Sequence, residues 1–337
     1  METKILNSSE ENLKLAKSIL KKGGLVAFPT ETVYGLGADA TNSKAVKSIF
    51  AAKGRPQDNP LIVHLSDTSK IKKYVKSINS IEQRIIDAFM PGPISIVLEK
   101  NRKISRAVTA GLDSVAIRVP SNLEANKFLK AVDLPIAAPS ANTSKRPSPT
   151  NANDVLEDMS GKIPLIINGG NTDVGVESTV VKVVDGKVYI LRPGRITAKE
   201  LKEVTNCEVL DKSKLREGEV VESPGVKYTH YAPICDMTLV VGKQNGIVDK
   251  TLVLYDKLVE QGKNPVVLCA KKNAVFYTGK NYLIIGKNSN EVCNCIFATL
   301  RRAEKKYDHI ICEYVDGGTM EDAMLNRLSK SCGGNII

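Results

Sequence analysis

Short apolar runs that alternate with helical patterns mark the first two hundred residues. Many of these runs are bounded by Gly, Pro, Asn, Asp or Ser, as the strands of an α/β sheet usually are. They lie at residues 25–30, 61–65, 94–100, 114–120, 135–140, 164–169, 178–184 and 188–194. Asp185-Gly186 joins the last two and is typical of a tight hairpin. Because a hairpin pairs antiparallel strands, the sequence predicts a mixed sheet.

Helix starts in this region carry side-chain caps. Asn7-Ser8-Ser9 precedes an amphipathic stretch that stops at Gly23-Gly24, which predicts a capped helix between them. The sequences 121–124 and 197–200 both fit the capping box, in which a Ser or Thr is followed three residues later by Glu.

Beyond residue 206 the pattern fades and then returns. The sequence 207–234 has no sustained period, and a structureless stretch of this length is usually functional or disordered. From 235 onward, strand candidates alternate with helical stretches through short links, which indicates a small doubly wound parallel sheet. We therefore expect a catalytic domain at 1–206, a linker or lid at 207–234, and a smaller Rossmann-like α/β domain at 235–337.

Charge and cysteine usage restrict the class of protein. The net charge of +11 favours anionic partners such as nucleotides, RNA or an acidic protein, although a solvated basic surface explains it equally well. The seven cysteines form no C-x-x-C pair, which favours thiols over a disulfide framework or a zinc site. The start of the chain lacks a signal-peptide core, and no apolar run is long enough to span a membrane. We expect a cytoplasmic protein without a membrane partner.

Common phosphate-binding signatures are absent or out of place. The chain has no P-loop motif. The sequence 35–40, GLGADA, matches a dinucleotide fingerprint, but the sequence PTETVY at 29–34 stands between it and the apolar residues 25–28, whereas the fingerprint turn follows its strand at once. We interpret these glycines as part of a loop.

Two cations lie where a predicted helix ends before the run 61–65. Lys53 in the last helical turn suits the negative end of the helix dipole, and Gly54 suits the left-handed cap. Arg55 lies beyond the helix, so the two cations could instead grip one polyphosphate. In either case we expect both residues to lie outside the apolar core.

Polar residues also interrupt three apolar runs. A lone His in a strand, such as His64, is more often a core residue than a ligand. A buried guanidinium at Arg118 needs a partner, either an internal carboxylate or a ligand carboxylate. Ser140 ends the run 135–140 and Asn142 follows it, at a strand end where open α/β sheets bind ligands, although both residues are also turn formers.

Taken together, these segments resemble the YrdC-type threonylcarbamoyl-AMP synthase family in its long, two-domain form. The resemblance rests on FPTETVYGLGADA, the K-x-R element at Lys53, DNPLIVH, the S-x-N element at Ser140, GVEST, LRPG, and SPGVKYTHYAP at 223–233. It implies a twisted mixed sheet that forms a half-open barrel. It also implies a nucleotidyltransferase that converts L-threonine, bicarbonate and ATP into threonylcarbamoyl-AMP and pyrophosphate.

The resemblance also implies roles for individual residues. The catalytic group is Lys53, Arg55, Ser140 and Asn142. The threonine-binding set is Thr32, His64, Arg118, Ala138 and Ser178, in which Arg118 pairs with the threonine carboxylate. The ATP-binding set is Lys53, Arg55, Asn59, Ser114, Ser140, Asn142, Ser148, Arg192 and, from the linker, His230 and Tyr231. No protein metal site is implied, and Mg²⁺ is expected through the ATP phosphates.

The product would pass to a separate transferase complex that forms the t6A modification of tRNA adenosine 37, and weak direct binding of tRNA is compatible with the charge. The alternative is a double-stranded RNA or tRNA-binding module without catalysis. A carbamoyl-transfer enzyme of hydrogenase maturation shares the fold, but those proteins add C-x-x-C zinc fingers that this chain lacks.

Overall fold

A computed structural model describes residues 2–213, 230–242 and 244–337, and the chain divides into two compact units. The first unit contains the described residues up to Ser144 and those from Ser148 to Ser213. The second contains Lys145–Pro147 and the described residues from His230 onward. Most of the predicted linker, 214–229, lies outside the described residues.

A mixed sheet forms the centre of the first unit, as the hairpin predicts. Its described strands are β1 (Lys4–Leu6), β2 (Val26–Phe28), β3 (Gly35–Asp39), β4 (Ile62–His64), β5 (Ile94–Glu99), β6 (Ser114–Arg118), β7 (Ile136–Ala138), β8 (Leu165–Ile167), β9 (Thr179–Val184), β10 (Lys187–Arg192) and β11 (Val209–Asp211). They are ordered β1-β8-β2-β3-β7-β4-β6-β5-β9-β10-β11. The β9–β10 hairpin is antiparallel, whereas β4–β6 and β5–β9 are parallel pairs.

The helices of this unit begin largely where their caps predict. They are α1 (Glu10–Lys21), α2 (Ser43–Lys53), α3 (Ser80–Phe89), α4 (Leu123–Val132), α5 (Ala152–Met159) and α6 (Ala198–Thr205), with a 3₁₀ helix at Thr68–Lys73. Ser9 caps α1, and Thr197 and Glu200 form the predicted capping box of α6. The box predicted at 121–124 is wrong, because Asn122 caps α4.

The glycine-rich sequence 35–40 is a strand rather than the expected loop. Gly35 and Gly37 lie in β3, which pairs with β2 and β7. A Cβ added at Gly37 would lie 2.7 Å from Ile136 Cγ2 and 3.1 Å from Phe28 Cε1. Glycine is therefore required here because side chains of neighbouring strands approach closely, and not because the chain turns.

The sheet is covered unevenly. On β2 and β7, alternate residues pack on opposite faces. Phe28 and Ala138 join a cluster with residues of α1 and α4, including Phe128, which stacks on Phe28 at 4.8 Å. Further along the same face, the small cluster of Ile62, Val97, Ala116 and Val180 consists of strand residues. Polar strand residues next to this cluster are the candidates for a site.

The second unit has the parallel sheet that its alternating pattern predicts. Its described strands are β12 (Asp236–Val240), β13 (Pro265–Ala270), β14 (Tyr282–Gly286) and β15 (His309–Glu313), ordered β12-β15-β13-β14 and all parallel. The helices are α7 (Gln244–Glu260), α8 (Ser289–Ala303) and α9 (Glu321–Ser331), with a 3₁₀ helix at Lys271–Tyr277. All seven cysteines of the chain are free thiols.

Candidate active site

His64 and Arg118 are neighbours on two parallel strands. They end β4 and β6, and they are direct partners in the β4–β6 register. Because side chains alternate along a strand, His64 shares the face of Ile62 and Arg118 that of Ala116. Both are buried, with 4% and 3% exposure. His64 and Arg118 therefore lie on the same sheet face as the small cluster of strand residues that contains Ile62 and Ala116.

The chain between β2 and β3 brings a hydroxyl and a carboxylate to Arg118. Arg118 Nη1 donates to Thr32 Oγ1 at 2.9 Å, and Arg118 Nη2 lies 2.9 Å from Glu31 Oε1. Thr30 Oγ1 contacts Thr32 Oγ1 at 2.9 Å and accepts the backbone N–H of Val33, which fixes this loop. Glu31 is thus the internal carboxylate that the burial of Arg118 requires.

Glu31 and Arg118 are charged but incompletely hydrogen-bonded. Their side chains are 5% and 4% exposed. The ion pair is close, yet among the described residues neither carboxylate oxygen of Glu31 and neither Nε nor Nη2 of Arg118 has a hydrogen-bond partner with good geometry. In most proteins the donor and acceptor atoms of a buried ion pair all have hydrogen-bond partners. Because several of these atoms lack one among the described residues, the pair can form further hydrogen bonds with a ligand.

His64 is held as a neutral imidazole. Burial lowers its pKa to about 3, and the charge of Arg118 acts in the same direction. The edge of the ring meets Phe28, with centroids 5.6 Å apart. Its Nδ1 has no partner among the residues the structure describes. A neutral ring beside a cation can donate to or accept from a ligand hydroxyl.

Lys53 contacts the Ser140–Asn142 loop directly. Its Nζ donates to the carbonyl oxygens of Ser140 and Asn142, the latter at 2.5 Å, and Ser140 Oγ donates to Asn142 Oδ1 at 2.5 Å. Lys53 ends α2 and Gly54 forms the left-handed cap, as predicted. However, the expectation that Lys53 lies outside the core is wrong, because its side chain is among the largest that are fully buried. The ammonium enters the interior because two backbone carbonyls receive it.

The Thr32 loop links these two groups of residues. The backbone N–H of Ala141 donates to the Tyr34 carbonyl at 2.8 Å, and Gly35 pairs with Ser140 in an antiparallel bridge. The segment that holds Thr32 against Arg118 is therefore continuous with the segment that borders Ser140. One loop adjoins both a carboxylate-binding group and a cluster of hydroxyl, amide and ammonium groups.

Asn59 and Arg55 follow α2. Asn59 is fully buried, and neither its Oδ1 nor its Nδ2 has a partner in the described part of the chain. A buried amide without hydrogen bonds is costly, so this side chain suits a polar ligand. Arg55 is half-buried, and its Nη2 lies 3.4 Å from the Pro60 carbonyl.

Ser178 and Arg192 form a third group of site residues. Arg192 donates through Nε and Nη2 to the Ser178 carbonyl, and Nη2 also donates to Ser178 Oγ at 3.1 Å. Ser178 Oγ contacts Ser95 Oγ at 2.9 Å, and Ser95 lies on β5, which pairs with the strand that carries Arg118. Ser148 is fully buried and donates to Glu177 Oε1.

The remaining predicted site residues are Ser114, Ala138, His230 and Tyr231. Ser114 begins β6, at the opposite end of that strand from Arg118. Ala138 is buried in β7 and packs in the cluster with α1 and α4. Tyr231 belongs to the second unit, where its ring stacks on Phe297 at 5.1 Å and lies 5.6 Å from the ring of its neighbour His230.

Four polar residues of these groups were not among the predicted site residues: Thr30, Glu31, Ser95 and Glu177. Two signals could have found Glu31: it lies between two threonines shortly after a buried strand, and it is part of the motif FPTETVYGLGADA. Within the described ranges, no group of three or more His, Cys, Asp or Glu side chains could hold a metal ion. None of the described helices is long and apolar enough to cross a membrane.

Comparisons with known proteins identify the family. Residues 18–194 match the Sua5, YciO and YrdC family model described as "Telomere recombination", and residues 196–333 match the model described as "Threonylcarbamoyl-AMP synthase, C-terminal domain". The chain is 39% identical to a threonylcarbamoyl-AMP synthase of Pyrococcus abyssi, over 97% of this chain and 96% of the relative. It is 38% identical to one of Bacillus subtilis, over 98% and 96%.

Solved structures extend the agreement to the fold. A P. abyssi Sua5 structure complexed with L-threonine superposes with a TM-score of 0.92 at 38% identity, covering 99% of both chains. A variant of P. abyssi Sua5, in which a histidine and the tyrosine after it are replaced by alanine, gives a TM-score of 0.93 at 37% identity, covering 99% of this chain and 98% of that one. The resemblance inferred from the sequence motifs is confirmed, and the chain belongs to the two-domain Sua5 family of threonylcarbamoyl-AMP synthases.

Proposed function

We propose that the protein forms threonylcarbamoyl-AMP and pyrophosphate from L-threonine, bicarbonate and ATP. The observation that carries this proposal is the loop that adjoins both Arg118 and the Lys53–Ser140–Asn142 cluster. It provides a carboxylate-binding group next to groups that suit a nucleotide. The names of the full-length relatives support this product, and the threonine complex of the P. abyssi protein supports L-threonine as a substrate.

At the threonine end, each polar group has a counterpart in the amino acid. Arg118 binds the carboxylate, for which its Nε is available, since this atom has no partner in the described part of the chain. Thr32 and the neutral His64 lie beside it and suit the threonine hydroxyl. Ser178 is assigned to threonine by the family resemblance.

At the nucleotide end, the donors suit phosphate and ribose. Lys53 and Arg55 supply positive charge, Asn59 supplies an amide, and Ser140 and Asn142 supply a hydroxyl and a second amide. Arg192 and Ser148 are assigned to the nucleotide by the family resemblance. Charge that develops on the α-phosphate is stabilised by such preorganised donors. Mg²⁺ is expected to be held through the ATP phosphates, as it is in other enzymes of phosphoryl transfer.

The reaction balances without an oxidant or a covalent enzyme intermediate. The threonine ammonium and bicarbonate give a carbamate, water and a proton that leaves to solvent. A carbamate oxygen then attacks the α-phosphorus of ATP and pyrophosphate departs. The protein mainly positions these groups, which agrees with the inventory of Lys, Arg, Ser and Asn.

The wider context is part of the same proposal. The product is an activated acyl group that a tRNA threonylcarbamoyl transferase would consume in the cytoplasm, with weak direct tRNA binding as an accessory. The assignment of His230 and Tyr231 to a lid over ATP stays a prediction, because most of 207–234 lies outside the described residues. The assignments of Ser114 to the ATP site and of Ala138 to the threonine site also stay predictions.

A pyrophosphate-release assay tests the proposal. We expect release only when ATP, Mg²⁺, bicarbonate and L-threonine are all present, and we expect alanine to be a poor substitute for threonine. An RNA-binding module without catalysis would release no pyrophosphate under any of these conditions. Release without threonine, or equal release with alanine, would contradict the assignment.

A further inference from the structure

The Glu31–Arg118 pair has opposite charges side by side in the proposed threonine site. The two side chains are 5% and 4% exposed, and their nearest charged atoms are 2.9 Å apart. The backbone carbonyl of Glu31 accepts the N–H of Val174 at 2.8 Å, so the main chain of this residue is also held in place. The carboxylate is ion-paired with Arg118 but accepts no hydrogen bond within the described residues, and it can therefore accept one from a ligand.

Both members of the pair have unused hydrogen-bonding capacity. Neither oxygen of Glu31 accepts a hydrogen bond within the described residues, and Arg118 Nε donates none there. A buried ion pair that served only to stabilise the fold would normally have these positions filled, because desolvated charges are otherwise costly. Incomplete satisfaction at this position points to a ligand that completes it.

An α-amino acid has the charge pattern that complements this pair. Its carboxylate and its ammonium are attached to one carbon, so the two charges lie a few ångströms apart, as those of Arg118 and Glu31 do. We propose that Glu31 binds the α-ammonium of threonine while Arg118 binds the α-carboxylate. This inference rests on the proposed function and adds Glu31 to the substrate-binding residues.

The same geometry has a consequence for the carbamate. When the ammonium becomes a carbamate, the substituent on the α-carbon changes from positive to negative. The Glu31 carboxylate attracts the first form and repels the second. Glu31 thus holds the amino acid in place before carboxylation and favours displacement of the carbamate, away from its own charge, once it has formed.

Calorimetric titrations with two ligands test the proposal without measuring turnover. The ligands are L-threonine and the dihydroxy acid in which a hydroxyl replaces its α-amino group. In Glu31→Gln, threonine should bind about 10- to 100-fold more weakly, since a charge-assisted contact is lost. The dihydroxy acid should bind at least as tightly as to the wild type, because Arg118 no longer has a competing carboxylate. Equal weakening of both ligands would overturn the proposal, as a purely structural Glu31 gives that result.

Two further variants keep the test decisive. Glu31→Asp preserves the charge and the partner of Arg118 but withdraws the carboxylate by one methylene. It should lower threonine affinity by about tenfold and leave the dihydroxy acid unaffected, even if Glu31→Gln fails to fold. Glu82→Gln, a half-buried glutamate in the α3 capping box, is the control and should change neither affinity. If threonine does not bind the wild type, the proposed function fails. If it binds the wild type and both Glu31 variants equally, only this inference fails.

Discussion

Replacing Lys53 by methionine tests whether a cation at a helix end can be essential to the fold around it. The substitution keeps an unbranched side chain of similar length and removes the ammonium. Lys53 Nζ donates to the carbonyl oxygens of Ser140 and Asn142, and the side chain is 2% exposed. Methionine can fill the space but leaves both buried carbonyls without this donor.

The expected loss of stability follows from these two bonds. A hydrogen bond to a charged group contributes about 1.5–3 kcal/mol, so two give about 3–6 kcal/mol. Part of this loss is offset, because the wild type must bury the charge of the ammonium and the methionine variant does not. We therefore expect Lys53→Met to lower the free energy of unfolding by about 2–4 kcal/mol. For a unit of this size, the melting temperature should fall by roughly 4–16 °C.

Differential scanning calorimetry of the full chain measures this shift, and ATP titration of the folded variant measures the effect on the site. Lys47→Met is the matched control, because Lys47 is exposed on the same helix, and its melting temperature should not change. A melting temperature for Lys53→Met within about 2 °C of the wild type would refute the reasoning, since the two contacts would then contribute little.

Two other predictions concern buried polar side chains of the first unit. Asn59→Leu should raise the free energy of unfolding by about 1 kcal/mol, because it removes an amide that is buried without partners among the described residues. It should also weaken ATP binding by about tenfold, since the amide would no longer contact the nucleotide. A destabilised variant with normal ATP affinity would contradict both expectations. For His64, the pKa is about 3 in the folded state and ordinarily 6.5, so the unfolded chain binds the extra proton and stability is lost as pH falls below 6.5. Urea unfolding should show that the wild type loses about 2 kcal/mol more than His64→Gln between pH 7 and pH 5, and equal losses would show that His64 is not buried as a neutral ring.

The strands could be predicted where runs of apolar side chains indicate which residues are buried. The runs at 61–65 and 114–120 became β4 and β6, and their polar residues His64 and Arg118 lie where the alternation predicts. Strand β3 was missed because its two glycines have no side chains that could show alternation, and the reason for them lies in Ile136, far away in sequence.

The site was predictable in its residue types but not in its contacts. The family motif gave Lys53 a role, yet no sequence pattern shows that its ammonium meets two backbone carbonyls from another loop. Glu31 was overlooked because a single acidic residue has no periodic signal, and its significance depends on Arg118, which is distant in sequence. Such long-range pairings of charges arise only when the sheet has formed.

The order of strands in the first unit also has a consequence for synthesis on the ribosome. Strand β1 ends at Leu6, but its neighbour β8 begins at Leu165 and is also the neighbour of β2. A nascent chain therefore exposes one pairing edge of each of its first two strands until most of the first unit has been translated, whereas the β2–β3 and β5–β6 pairs can form before β8 is made. The interval in which this protein most needs protection from aggregation lies before β8 leaves the exit tunnel.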